Sequence, residues 1–233
     1  ALVSYDHDDS ITACISHACD VRVIWGGDET IDRVRCSPLR PSAKDVTFAD
    51  RFSLAAISTD AYIATADPER DALAERFFND TFWFDQMGCS SPRVLIWVGS
   101  TDHAVAAEDF HSRLAEVIVR KQYLSEPAAE VSKLNMAYRS VLDIPVVSHR
   151  RYGIGTVLES TDFPDARGDF CGGGFLFQWR VGSLLDLLPH VERKDQTLSI
   201  FGISQDDLES FVSSLAGRGI DRIVPIGEAL NFG

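Results

Sequence analysis

Cys89 lies in the stretch Phe82-Trp83-Phe84-Asp85-Gln86-Met87-Gly88-Cys89-Ser90-Ser91-Pro92-Arg93. A thiol of ordinary pKa, about 8.5, becomes a useful nucleophile when amide dipoles or positive charge stabilise its thiolate. Gly88 lets the backbone turn sharply and a substrate approach. Gln86, Ser90 and Ser91 bring polar hydrogens that can steady an oxyanion formed by attack on a carbonyl. The competing reading is an inert, buried cysteine, because free cysteines are among the most buried residue types. A polar corner containing glycine is a poor place to hide a hydrophobe, and Pro92 prevents a helix from running through Ser91.

A second constellation is Trp25-Gly26-Gly27-Asp28-Glu29. An apolar strand over Val21 to Trp25, two glycines and a helix capped by Asp28 would gather amide donors at one point. Such a unit holds phosphate or the nicotinamide end of a dinucleotide. It is also what an ordinary strand-to-helix turn looks like, and the chain has no Gly-x-Gly-x-x-Gly fingerprint. Cys14, His17 and Cys19 fit no zinc-site spacing, so no metal is expected. His103, His111, His149 and His190 are scattered and give no signature of a Cys-His dyad.

The elements that must position these residues follow from periodicity. Asp67 caps an expected helix over Pro68 to Phe84, which brings the chain to Cys89 at a helix-to-strand corner before the apolar run Val94 to Val98. Trp83 and Phe84 are expected in the core, with an acyl-tunnel wall as the other reading. Residues 35 to 50, rich in charge and proline, read as an irregular connection, and Phe52 to Ile57 as a strand. Helices are expected over Val105 to Tyr123 and Pro127 to Val141, with short strands at Pro145 to Val147 and Gly155 to Leu158 around a basic turn, His149-Arg150-Arg151. That turn reads as a solvated loop or as a contact for phosphates of coenzyme A. Phe170 to Trp179 reads as a glycine-led strand; no Gly-Lys-Ser/Thr follows its glycines, so a phosphate loop is rejected. After it come the helix Leu184 to His190, the strand Gln196 to Phe201, the helix Gln205 to Ala216 and the strand Ile220 to Ile226. This alternation predicts an α/β fold with a mainly parallel sheet flanked by helices.

The chain has 233 residues, 45% of them hydrophobic, and a net charge of −13. That is enough material for a large globular domain, and the acidity argues against a nucleic-acid partner. No apolar stretch approaches the roughly 18 residues of a membrane span. Five cysteines do not form a disulfide framework, so a reducing cytoplasm is expected. The chain begins at an alanine and stops abruptly at Gly233, as a fragment would.

Gln86-Met87-Gly88-Cys89-Ser90 with Ser91-Pro92-Arg93-Val94 resembles the nucleophile loop of the aldehyde dehydrogenase superfamily. The form Asp-Gln-x-x-Cys-x-Ser-Pro is most similar to its acyl-CoA reductase branch, which includes the reductase component of bacterial luminescence. The segment Trp25 to Glu29 resembles the superfamily's second cofactor loop, and Asp221-Arg222-Ile223-Val224-Pro225-Ile226-Gly227 resembles the closing strand of its catalytic domain. The resemblance covers Val21 to Gly233. It implies residues 1–58 as the tail end of a dinucleotide-binding domain and 59–233 as the catalytic domain. It implies Cys89 as the nucleophile with Gln86, Ser90 and Ser91 in support, and Gly26, Gly27, Asp28 and Glu29 at an NADPH (or NADH) cofactor.

The activity so implied is reduction of a fatty acyl-CoA or acyl-protein to the aldehyde through an acyl-cysteine, with an acyl-protein synthetase and a second copy of the chain as partners. The region that carries a water-activating glutamate in hydrolytic relatives, placed at about Phe52 to Ser58, holds no acid, which favours reduction over hydrolysis. A cysteine-dependent acyltransferase or thioesterase without nicotinamide is the alternative.

Overall fold

The computed structural model describes residues 2–168 and 170–231, so the expected domain limits at residues 1 and 233 lie outside the described residues. Two compact units result, one ending at Asp50 and the other beginning at Arg51. The first contains α1 (Asp9–Ala18), β1 (Val21–Trp25), α2 (Asp28–Arg35) and β2 (Lys44–Phe48). Asp8 caps α1, its carboxylate accepting from the Ser10 and Ile11 amides. β1 and β2 pair in parallel, which corrects the expectation of an irregular connection over 35–50. Lys-Asp-Val-Thr-Phe is too polar to read as a strand alone, and pairing with Val21–Trp25 supplies the missing hydrogen bonds. Arg22 holds this unit together: its guanidinium binds the Asp45 carboxylate with two bonds and also donates to Ser16 Oγ, Val34 O and Ser37 O.

The second unit runs β3 (Phe52–Ser58), α3 (Thr59–Ala64), α4 (Asp67–Phe82), a 3₁₀ turn (Trp83–Gln86), β4 (Val94–Val98), α5 (Ala104–Arg120), α6 (Pro127–Asp143), β5 (Val146–Tyr152), β6 (Gly155–Ser160), β7 (Phe175–Val181), a second 3₁₀ stretch (Leu184–His190), β8 (Asp195–Phe201), α7 (Gln205–Leu215) and β9 (Arg222–Pro225). Its strands form one seven-stranded sheet in the order β5-β6-β7-β4-β3-β8-β9. Every pairing is parallel except β5 with β6.

Alternate residues of the central strands feed two cores. Leu54, Ala56, Val94, Ile96, Phe177 and Leu198 pack with Met136, Phe211 and Leu215 on one face. Ala55, Ile57, Leu95, Trp97 and Leu176 pack with Leu73, Phe77, Phe110 and Leu114 of α4 and α5 on the other.

β3 is bonded on both edges, to β4 and β8, and belongs to the compact unit that begins at Arg51. The same burial removes the force of the missing acid over Phe52 to Ser58. The strand's first six residues are fully buried, so a carboxylate there would sit uncompensated inside the core whatever the chemistry.

Three local expectations also change. Gly27 and Ala66 occupy the N-cap positions expected of Asp28 and Asp67, and the two acids instead stand in the first turns of α2 and α4, where the helix dipole favours them. His149, Arg150 and Arg151 form no turn. They lie along β5, with Arg150 paired to Glu108 at 2.6 Å and Arg151 to Glu130 at 2.7 Å, so the cluster carries little unneutralised charge toward a phosphate.

Candidate active site

The approach to Cys89 is unusual backbone. Helix α4 ends at Phe82, and Phe84, Asp85 and Gln86 then take φ of 57°, 53° and 62°. Three successive residues with side chains in the left-handed region are strained, each by roughly 1–2 kcal/mol. Their compensation comes from a second left-handed run, Gly172, Gly173 and Gly174, with φ of 67°, 66° and 79°. The Gly173 N–H donates to Asp85 O at 2.9 Å and the Gly174 N–H to Gln86 Oε1 at 2.9 Å. Glycine is required there for space as well as for φ. A Cβ on Gly172 would lie 2.5 Å from Asp85 O, and one on Gly174 2.5 Å from Phe82 Cε1. Buried Lys133 of α6 fixes the glycine run from behind, donating to Gly173 O at 3.1 Å and Ile154 O at 2.7 Å while pairing with Glu130 at 2.5 Å.

Gln86 is fully buried, and its amide is engaged at every end. Nε2 donates to Pro92 O at 2.8 Å and Phe175 O at 3.0 Å. The residue therefore shapes the loop from within, and its amide hydrogens are already committed. The sequence signal that would have found this brace is the glycine run itself.

Cys89 is exposed, between the fully buried pair Ser90 and Ser91 and the exposed Met87. Its carbonyl accepts from Ser53 Oγ at 2.7 Å, which pins the Cys89 main chain to the start of β3. Ser90 Oγ accepts from Thr197 Oγ1 at 3.3 Å, and the Ser91 N–H donates to Gly88 O at 3.0 Å. Ser91 Oγ is buried without a partner among the described residues, and it lies 3.1 Å from where a Cβ on Gly88 would stand. The backbone N–H groups of Cys89 and Ser90 likewise donate to no backbone acceptor among the described residues.

Trp83, Phe84 and Met87 are 55%, 72% and 60% exposed, which overturns the core placement of the two aromatics. Trp83 leaves the helix in an extended conformation and Phe84 turns left-handed, which leaves exposed apolar side chains in the segment leading to the thiol.

No histidine hydrogen-bonds to Cys89 among the described residues. His103 Nε2 is 2.7 Å from Glu159 Oε1, His111 Nε2 is 2.8 Å from Gln178 Oε1, and His190 stacks on Phe163. Burial lowers the His111 pKa to about 4, so at neutral pH its ring is uncharged and its Nε2–H donates to Gln178.

In the first unit, Gly26 donates to Phe48 O at 3.3 Å and Gly27 starts α2 with no side-chain cap. Asp28 and Glu29 occupy its first turn. Trp25 and Phe48, both exposed, stack at 4.6 Å beside the glycines. Two carboxylates at the helix start oppose a phosphate, whereas aromatic surface and glycine backbone suit an uncharged ring and its carboxamide.

The mostly parallel sheet flanked by helices is the fold that the chain shares with solved aldehyde dehydrogenases. The chain aligns over 94% of its length with 46% of 1-pyrroline-5-carboxylate dehydrogenase from Thermus thermophilus (TM-score 0.62, 14% identity). It aligns over 95% of its length with 48% of methylmalonate-semialdehyde dehydrogenase from Oceanimonas doudoroffii (TM-score 0.63, 11% identity). A 1-pyrroline-5-carboxylate dehydrogenase from Thermus solved with bound NAD aligns with a TM-score of 0.58 at 16% identity, over 88% of this chain and 43% of that one. The chain thus spans less than half the length of these structures. No curated protein sequence matches it. The acyl-CoA reductase (LuxC) family model matches residues 1–142, and the chain belongs to that family.

Proposed function

We propose that this chain carries the nucleophile of an enzyme that reduces a fatty acyl thioester, borne by coenzyme A or by a protein, to the aldehyde. The observation that supports it most is the exposed Cys89 on a loop braced by buried Gln86, Ser90 and Ser91, in a member of the acyl-CoA reductase family. The Cys89 thiolate attacks the thioester carbonyl, and the oxyanion is met by the Cys89 and Ser90 amides and the Ser91 hydroxyl. Collapse expels the thiol of the donor and leaves the acyl group on Cys89. A nicotinamide cofactor, NADPH or NADH, if held at this chain, would supply the hydride that reduces the Cys89 thioester to the hemithioacetal. Breaking its C–S bond releases aldehyde and restores the thiolate.

Gln86 acts in this scheme by holding the loop, and Trp83, Phe84 and Met87 offer the alkyl chain an apolar resting surface. Gly26 and Gly27, with the Trp25–Phe48 stack, are the proposed seat of the nicotinamide end, in what we read as the last part of a dinucleotide-binding domain. The first turn of α2, with Asp28 and Glu29, is not a phosphate site in this reading. A cytoplasmic, oligomeric enzyme supplied by an acyl-protein synthetase, in luminescence or another aldehyde-requiring process, is the setting that the family suggests.

The test is intact mass after incubation with a long-chain acyl-CoA. Wild type gains one acyl mass and Cys89→Ala gains none; an equal adduct on the variant discards the assignment. An adduct that turns over without consuming reduced dinucleotide would instead indicate a cysteine acyltransferase or thioesterase.

A further inference from the structure

Asp80 lies in the last turn of α4 and is 1% exposed. A carboxylate there is doubly disfavoured, by desolvation and by the negative end of the helix dipole. It is satisfied by a distant piece of chain. The Gly227 N–H donates to Oδ2 at 2.6 Å and the Ala229 N–H to Oδ1 at 3.0 Å. The same turn is held from its carbonyl side by Arg222, which donates to Glu228 O, Ala229 O and Asn231 O. Gly227 takes φ of 103°, and a Cβ there would lie 2.8 Å from Arg76 Cβ, so the turn sits tight against α4. Leu230, next in the chain, places Cδ2 3.2 Å from where a Cβ on Gly88 would be, on the residue before the nucleophile.

We propose that Asp80 is a positioning residue for Cys89, acting through this hook: it fixes Gly227 and Ala229, and Leu230 then closes the space beside Gly88 so that the thiol is held in one place. The inference rests on the reading of Cys89 as nucleophile. Three separate parts of the chain converge on the loop in this way. Gln86 and the glycine run hold its start, Ser53 its middle, and the Asp80 hook its flank. Burial pushes the Asp80 carboxyl up to about 6 against the pull of its two amide donors, so at neutral pH it is the charged acceptor that the hook requires.

The experiment measures iodoacetamide alkylation of each cysteine by peptide mass spectrometry from pH 6 to 9. It uses wild type, Asp80→Ala, Asp80→Asn and Leu230→Ala, each first shown by thermal melting to be folded. Cys14 and Cys36, both exposed, serve as internal references. In wild type, Cys89 should react at least about tenfold faster than they do, as an accessible thiol held in one place by a braced loop does. Asp80→Ala and Leu230→Ala should each slow Cys89 by about fivefold or more across the pH range, leaving Cys14 and Cys36 unchanged. Asp80→Asn, which keeps one acceptor oxygen, should recover part of the rate. Leu230→Ala leaves the buried acid intact, so it tests the hook even if Asp80→Ala fails to fold. An unchanged Cys89 rate in the folded variants overturns the inference. A wild-type Cys89 no faster than Cys14 and Cys36 overturns the nucleophile reading itself, and that comparison needs no variant.

Discussion

Gln86 and Gly174 are 88 residues apart in sequence and are joined by a 2.9 Å hydrogen bond from the glycine amide to the buried side-chain oxygen. With the two bonds from Gln86 Nε2 to Pro92 O and Phe175 O, this bond makes the loop before Cys89 and the entry to β7 a single piece. Gln86→Ala should therefore lower stability by about 2–4 kcal/mol, leaving three buried groups unsatisfied. Gln86→Glu should not rescue it, since a carboxylate cannot donate to two carbonyls. Urea denaturation of the variants checks both.

Gly174→Ala is expected to be worse than an ordinary glycine replacement. The new methyl would meet the Phe82 ring at 2.5 Å in a backbone conformation that alanine resists. A loss of about 3 kcal/mol or more, or failure to fold, is expected by thermal melting. Gly153→Ala is the control: its φ of 61° is also left-handed, but nothing lies within 4 Å, so it should lose only about 1 kcal/mol.

Phe84→Gly separates stability from function. The residue is exposed with φ of 57°, so glycine relieves strain, and stability should hold or rise by up to about 1 kcal/mol. Loss of the aromatic surface should nevertheless weaken acylation by long-chain acyl-CoA more than by a short-chain one. Equal loss for both chain lengths would remove Phe84 from the alkyl surface.

Two buried groups pull stability in opposite directions with pH. His111 has a folded pKa lowered to about 4, so between there and its ordinary 6.5 the unfolded chain holds more protons. Its contribution is complete above about 6.5 and is lost as pH falls toward 4, about 3 kcal/mol in all. Asp80, raised to about 6 from 3.8, does the reverse: the folded state holds the extra proton, so its contribution is complete below 3.8 and is lost as pH rises through 6. The two largely cancel between pH 4 and 6. Denaturant titrations should accordingly show stability falling with pH in His111→Gln and rising with pH in Asp80→Asn across that window, relative to wild type.

Replacing Arg150 or Arg151 by alanine should leave acylation by acyl-CoA within about twofold and cost under 1 kcal/mol, because each is a half-exposed partner of a carboxylate on a helix. A large rise in the acyl-CoA concentration needed for half-maximal acylation would restore the phosphate reading.

What could be read from the sequence was whatever had local causes. The apolar run Val94–Val98, the proline-started α4 and α6, and the strand-helix alternation after Phe175 give the parallel sheet, and a polar glycine corner gives an exposed thiol. What stayed hidden depends on partners far along the chain. Lys44–Phe48 becomes a strand only beside β1. Asp80 reads as an ordinary surface acid until the amides of Gly227 and Ala229 are brought to it. Trp83 and Phe84 continue the apolar spacing of α4 and so read as core. They are turned outward because the backbone leaves the helix at Trp83, which is extended, and turns left-handed at Phe84, a change that no aromatic announces.

The facing of Phe84–Gln86 against Gly172–Gly174 has a practical consequence for engineering. Residues 82–93 transplanted onto a foreign scaffold would carry the letters of the motif and not its shape, because the mould for that shape is cast by glycines about ninety positions downstream. A useful graft would have to move both strips together, with the lysine that backs the second.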